Sequence, residues 1–324
     1  MRRVPPRGWA ALGWAVLATV SVRVDAEEVS ADWAMRIVHA YDRLSYQGVF
    51  VYLKNGSLET MEVVHSAADG GQTRLISLNG EVTEIHRHGD QMTRYLPQRG
   101  FYIEGLRWSN PFFSSVPEDI SRIAAHYTIQ SGALDRVAGR ECQRVEVKPR
   151  DALRYGYQLC VDRDTALVLD ARLMGEQGQV RQEVMFTQLL LEKQIDPALL
   201  APGMNTSKLK RYVVTTHTHG VNGGDARTWD VTAPPSGYRL VFGGDHSLPN
   251  GGGEQEHLVY SDGLSAISVF IDAGPIRGKP IVGQTSRGSM NAYGDVRDGH
   301  QVLVVGEVPY AALKAMADSL HRRH

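Results

Sequence analysis

Behind Ser30, a residue type suited to capping, Trp33, Ile37, Val38, Tyr41 and Leu44 recur at helical spacing. They predict a helix to about Leu44 whose single apolar stripe must lie on a sheet. From Tyr46 the period drops to two. Tyr46-Gln47-Gly48-Val49-Phe50-Val51-Tyr52-Leu53 is aromatic and β-branched, and Asn55-Gly56 turns the chain back. Thr60 to His65, Arg74 to Leu78, Val82 to Arg87 and Gln91 to Leu96 continue as short strands, punctuated by Asn79-Gly80 and Gly89-Asp90. A looser stretch with Trp108, Pro111, Phe112 and Phe113 follows, and Pro117 and Glu118 open a short helix to about Ala125. Strands resume around Tyr127 and over Glu141 to Lys148, Arg154 to Val161, Leu167 to Met174 and Val180 to Leu191. A helix ahead of a long antiparallel meander suits an open β-barrel wrapped over helices.

Ile195 to Lys210 interrupts this texture with Asp196-Pro197 and Ala201-Pro202-Gly203. The break predicts a flexible linker over 195–211, between a domain at 27–194 and a second at 212–324. Residues 212–324 hold 17 of the chain's 33 glycines, in turns such as Gly251-Gly252-Gly253, so a smaller β domain is expected. Pro309 should start its terminal helix, running to about Leu320. The expected class is therefore β-rich α+β.

The first residues set the compartment. Arg2, Arg3 and Arg7 precede an apolar run from Gly8 to Val20, and Val24-Asp25-Ala26 offers small residues at a cleavage site. This is the layout of a secretory signal peptide over 1–26, since the run falls short of the ~20 residues a membrane span needs. The formal charge is −1, and removing Arg2, Arg3, Arg7, Arg23 and Asp25 (net +3) leaves −4. A mildly acidic chain gives little support to nucleic-acid binding.

Catalytic signatures are missing from the sequence. His217-Thr218-His219 places two imidazoles on one side of a strand, yet no third ligand stands at a recognisable spacing, so a polar strand end is the stronger reading. Gly263-Leu264-Ser265-Ala266 and Gly288-Ser289-Met290-Asn291 lack the second glycine of a nucleophile elbow. No phosphate loop, dinucleotide fingerprint or calcium loop occurs, and no cofactor is expected. The two cysteines carry more information. With residue 151 as the centre of a hairpin, Val145 faces Tyr157, Val147 faces Tyr155, Lys148 faces Arg154, and Cys142 faces Cys160 within disulfide reach. In an exported chain the bond is favoured over two neighbouring thiols, as a staple rather than a redox centre.

Longer motifs carry a family resemblance. His257-Leu258-Val259-Tyr260-Ser261-Asp262-Gly263-Leu264-Ser265-Ala266-Ile267-Ser268-Val269-Phe270-Ile271 resembles the signature of the RseB/MucB family. Trp229 with Pro235-Ser236-Gly237-Tyr238, the run Val302 to Pro309, Tyr46-Gln47-Gly48, Ala138 to Cys142 and Arg154-Tyr155-Gly156-Tyr157 are similar to it as well. The resemblance implies a lipoprotein-carrier-like N-terminal domain with an apolar cavity, a small C-terminal β domain and a periplasmic location. It implies binding to the periplasmic part of a membrane-spanning anti-sigma factor, which is kept from a site-1 protease until a lipid or lipopolysaccharide fragment loosens the grip. No catalytic residues come with it. Phe50, Tyr52, Leu75, Ile85 and Tyr95 are the candidate cavity lining, against the commoner fate of filling a closed core. Tyr260, Leu264 and Phe270 are the candidate partner surface, with core strand positions as the competing reading for Phe270. A homo-oligomer stays open, as does a soluble lipid or lipoprotein carrier, although a bare carrier has no evident need of the second domain.

Overall fold

A computed structural model describes residues 31–54, 56–89, 91–107, 121–214, 216–219, 227–247, 253–276 and 278–323. The expected signal peptide, the Ser30 cap and the Pro117-Glu118 helix start lie outside them.

Helix α1 (Ala31–Arg43) leads into β1 (Ser45–Lys54), β2 (Ser57–Ser66), β3 (Gln72–Ser77), β4 (Glu84–His88), β5 (Gln91–Leu96) and β6 (Phe101–Arg107). Helix α2 (Ser121–His126) precedes β7 (Tyr127–Val137), β8 (Arg140–Pro149), β9 (Gly156–Asp162), β10 (Val168–Met174) and β11 (Val180–Glu192). A one-turn α3 (Pro197–Leu200) and β12 (Lys210–Val213) follow. Among the described residues these strands form one 12-stranded sheet, ordered β12-β6-β5-β4-β3-β2-β1-β11-β10-β9-β8-β7. Two antiparallel meanders run outward from the β1–β11 pair, and β12 adds to β6 in parallel. Strand β6, which the pattern reading passed over, is the bridge that makes this addition.

Three residues of the α1 stripe, Ile37, Tyr41 and Leu44, do what its spacing requires. Ile37 and Ala40 pack with Val145, Val147, Leu159 and the α2 residue Ile123. Tyr41 packs with Tyr46, Phe50, Val63, Leu75 and Phe186. The helix thereby touches both meanders, and each aliphatic side chain fully buried there is worth roughly 1.5–3 kcal/mol.

The C-terminal part contains β13 (Thr216–His219), β14 (Trp229–Val231), β15 (Arg239–Ser247), β16 (Glu254–Ser261), β17 (Ala266–Asp272), β18 (Gly283–Arg287), β19 (Met290–Arg297), β20 (His300–Gly306), α4 (Tyr310–Asp318) and β21 (Leu320–Arg322). Its main sheet is ordered β13-β15-β16-β17-β20-β19-β18. Helix α4 buries Ala312, Leu313 and Met316 in one cluster with Leu258, Val269 and Val304. It stops short of the predicted Leu320. The Ser319 hydroxyl bonds back to Ala315 O at 2.8 Å, and Leu320 pairs with Val231 in a small β14–β21 ribbon.

Two expectations need correction. The stretch at 195–211 is not a free linker. Arg74 Nη1 donates to Leu199 O at 3.2 Å, Gly203 N donates to Glu84 Oε1 at 3.0 Å, and residues 210–213 are a strand of the first sheet. The β8–β9 hairpin also pairs two residues away from the expected register. Val147 faces Tyr157 and Arg144 faces Cys160, so the centre is residue 152. Asp151 sets the turn, accepting from Leu153 N at 2.9 Å and from Arg154 Nε at 2.9 Å. A two-residue slip keeps every side chain on its own face. Cys142 and Cys160 are therefore still bonded, diagonally rather than directly opposed, with their Cα atoms 5.4 Å apart.

Candidate functional site

Four of the five residues expected to line a cavity come together. In register, Val63 faces Gly48 and Leu75, and Leu75 faces Ile85. Alternation then puts Phe50 and Tyr52 on that same side. Phe50 and Leu75 are buried, Tyr52 and Ile85 half-buried, and all four belong to one apolar cluster with Met61 and Phe186. Tyr95 does not join them. It faces Glu84, on the opposite side of the sheet from Ile85, where its ring stacks on Tyr102 at 5.3 Å.

A polar row, His65, Thr73 and Arg87, interrupts the apolar face. His65, fully buried, packs beside the rings of Tyr41 and Tyr46 at 4.8 and 5.1 Å. Its Nδ1 is 2.8 Å from Thr73 Oγ1, and its Nε2 has no hydrogen-bond partner among the described residues. Burial, reinforced by the Arg87 charge, lowers its pKa to about 4, so the ring is neutral in the fold.

The junction between the domains is where the resemblance motifs meet. Arg154 and Asp262 are both fully buried and pair at 2.7 Å from Nη1 to Oδ2. Tyr127 OH donates to the same oxygen at 2.9 Å, while Asp262 Oδ1 accepts from Leu264 N and Ser265 N at 2.9 and 2.8 Å. Arg154 Nη2 reaches Ser236 O, Tyr238 OH meets Ser265 Oγ, and Tyr157 OH donates to Leu264 O at 3.1 Å. Burial raises the phenol pKa of Tyr127 and Tyr157 well above the ordinary value, aided by Asp262, so both stay protonated donors. The Arg154-Tyr155-Gly156-Tyr157 stretch, the Pro235–Tyr238 turn and the Asp262–Ser265 turn thus form one buried network.

A second contact lies beside the first. Asn291 Nδ2 donates to Tyr155 OH at 2.9 Å, Ser289 Oγ to Gln182 Oε1 at 3.0 Å, and Arg181 Nη2 to Gly288 O at 2.7 Å. Sequence reading had placed Arg154 opposite Lys148 on a strand face and missed this role. The one available signal was that Arg154 and Asp262 both sit inside motifs of the resemblance.

The expected partner surface divides three ways. Tyr260, 3% exposed, belongs to the C-terminal core, and Leu264, 5% exposed, packs into the N-terminal cluster with Val145 and Val147. Neither presents a surface. Phe270 is half-buried on the opposite face of the C-terminal sheet, with its ring stacked on His257 at 4.2 Å. His217 and His219 lie in β13, paired with Asp245 and Gly243 of β15. Among the described residues no group of three or more metal-ligating side chains converges.

Comparison with known proteins covers both domains. Residues 30–204 match the MucB/RseB N-terminal domain and residues 224–321 the MucB/RseB C-terminal domain. The chain is 31% identical to the sigma factor AlgU regulatory protein MucB of Pseudomonas aeruginosa, over 90% of each chain. It is 25% identical to the sigma-E factor regulatory protein RseB of Salmonella typhimurium, over 94% of each. Among solved structures, the Pseudomonas aeruginosa MucA/MucB complex matches with a TM-score of 0.71 at 28% identity, covering 90% of this chain and 98% of that one. MucB in complex with MucA(peri) matches at 0.69 and 28% identity, covering 91% and 100%.

Proposed function

Since the chain belongs to the MucB/RseB family, we propose that it is a periplasmic negative regulator of an envelope-stress sigma factor. It binds the periplasmic part of a membrane-spanning anti-sigma factor and shields that segment from a site-1 protease. The observation that carries this reading is the likeness, over nine-tenths of the chain, to MucB held in complex with MucA. The buried junction supports it: the two domains are fastened into one body, so a partner can use both at once.

A lipid-type stress ligand, a lipid or lipopolysaccharide fragment, releases the partner from this complex. Supporting that half is the apolar face of Phe50, Tyr52, Leu75 and Ile85, in the cluster that Tyr41 of α1 packs against, whose half-buried members Tyr52 and Ile85 are apolar surface an acyl chain can contact. The ligand acts only through a difference in affinity between free and partner-bound protein, and the coupling is reciprocal. A tenfold loss of partner affinity requires about 1.4 kcal/mol.

The test is a titration of the purified mature chain with the anti-sigma periplasmic segment, with and without lipid fragments, alongside a protease-protection assay. Capture, protection, and loss of both on adding lipid are expected. Lipid uptake without capture would replace this reading with a soluble lipid carrier. Capture unaffected by lipid would remove the release step.

A further inference from the structure

From Ala273 through Gly294 the sequence contains no Asp or Glu, while Arg277, Lys279 and Arg287 fall inside that stretch. In a chain of formal charge −1 this is a local excess of positive charge. Within it, Ile281 and Val282 stand side by side at 56% and 66% exposure. From Gly278 to Gly288 every residue is exposed except the half-buried Gly283. Scattered exposed aliphatics are ordinary on protein surfaces; an adjacent pair framed by cations on an exposed run is not.

The segment is also held in place. The carboxamide of Gln301 grips both sides of Ile281, accepting from its N and donating to its O, each at 2.8 Å. The same Nε2 also bonds Asp295 O at 3.0 Å. A Cβ on Gly294 would stand 2.5 Å from Ile281 O, so a glycine there is what lets the segment lie against β19.

We infer that residues 278–288 are a membrane-contact surface, in which Ile281 and Val282 enter the headgroup boundary of an anionic bilayer while Lys279 and Arg287 meet its phosphates. The charge excess is complementary to an anionic leaflet. The position of the pair favours lipid over a peptide: Ile281 and Val282 precede the edge strand β18, along which a peptide would add, and two projecting aliphatic side chains are buried by a soft apolar phase. Two aliphatic side chains and a few cations give reversible contact rather than anchoring. The exposed Ile281–Val282 pair stands apart from the face under α1, and the segment meets the domain junction at its far end, through Gly288 O; its test does not depend on capture of the anti-sigma segment.

The mature chain is co-sedimented with large unilamellar vesicles of phosphatidylglycerol and phosphatidylethanolamine, and with vesicles of phosphatidylcholine alone. Binding to the anionic vesicles that weakens with salt is expected, with little to phosphatidylcholine. Combining Ile281→Ser with Val282→Ser should lower it about tenfold. Lys279→Glu with Arg287→Glu, surface changes that leave the apolar pair intact, should abolish the anionic preference. Unchanged thermal midpoints confirm that both variants fold. No sedimentation of the wild-type chain, or sedimentation of both variants equal to the wild type's, overturns the inference. It is also overturned if the variants lose only capture of the anti-sigma segment, which would make the patch a protein contact.

Discussion

His65 couples the stability of the first domain to pH. An unfolded imidazole takes a proton near pH 6.5, and the folded one refuses it until about pH 4. Between those values the unfolded chain binds more protons, so stability falls as pH drops through that window, by up to roughly 3 kcal/mol. Urea midpoints at pH 7.5 and 4.5 should show this fall in the wild type, and His65→Gln should flatten it. The disulfide acts at the same scale. Replacing Cys142 and Cys160 together with alanine should cost roughly 3 kcal/mol by the chain-entropy estimate for their separation of 18 residues. Both cysteines are fully buried, so mass spectrometry of non-reduced peptides should recover the bridge even after mild reductant treatment of the folded protein.

Among elements, the β8–β9 hairpin matters most, because its turn leaves one domain to enter the other. Leu153 packs against the C-terminal core while Arg154 pairs with Asp262. Removing one partner of a buried pair strands the other charge, at a cost of about 3–5 kcal/mol. Arg154→Ala and Asp262→Asn should each show such a loss in chemical denaturation. The apolar pair Arg154→Met with Asp262→Leu should recover part of it. Gly237 makes a stricter test of the docking. It sits at φ 85° in the Pro235–Tyr238 turn, and an added Cβ would run into the His126 ring across the junction. Gly237→Ala should therefore destabilise the docked arrangement by more than the left-handed backbone alone would.

For the whole molecule, the fastened junction changes how coupling between sites must be understood. A flexible tether would allow the domains to part at little cost, whereas two buried polar contacts and β12 on β6 hold them in one arrangement. A single engineered protease cut between Gly203 and Lys210 should leave both fragments co-eluting in size-exclusion chromatography. The same cut in Arg154→Ala should release them, or shift the elution measurably. Separation of the wild-type fragments would show that the chain connection, not the junction, keeps the domains together.

The sequence by itself determined the period of each element and hence the class of fold. The α1 stripe, the alternating strands and the shared face of Cys142 and Cys160 follow from local spacing, and spacing survives a two-residue slip in register. The longer motifs carried the family. Only the tertiary structure decided where the motifs go. Arg154 and Asp262 are 108 residues apart, and local pattern puts Arg154 on a strand face opposite Lys148 with no sign of Asp262 until two domains dock around them. Leu264 reads as surface for the same reason, because local pattern does not say which apolar residues a second domain will cover, whereas Tyr260 is covered by the core of its own domain. Tyr95 was grouped with Phe50 by composition, and only strand pairing showed that it points the other way. The linker looked free because Pro and Gly break regular structure, while the partners that tie it down, Arg74 and Glu84, lie far upstream on the same sheet that β12 joins.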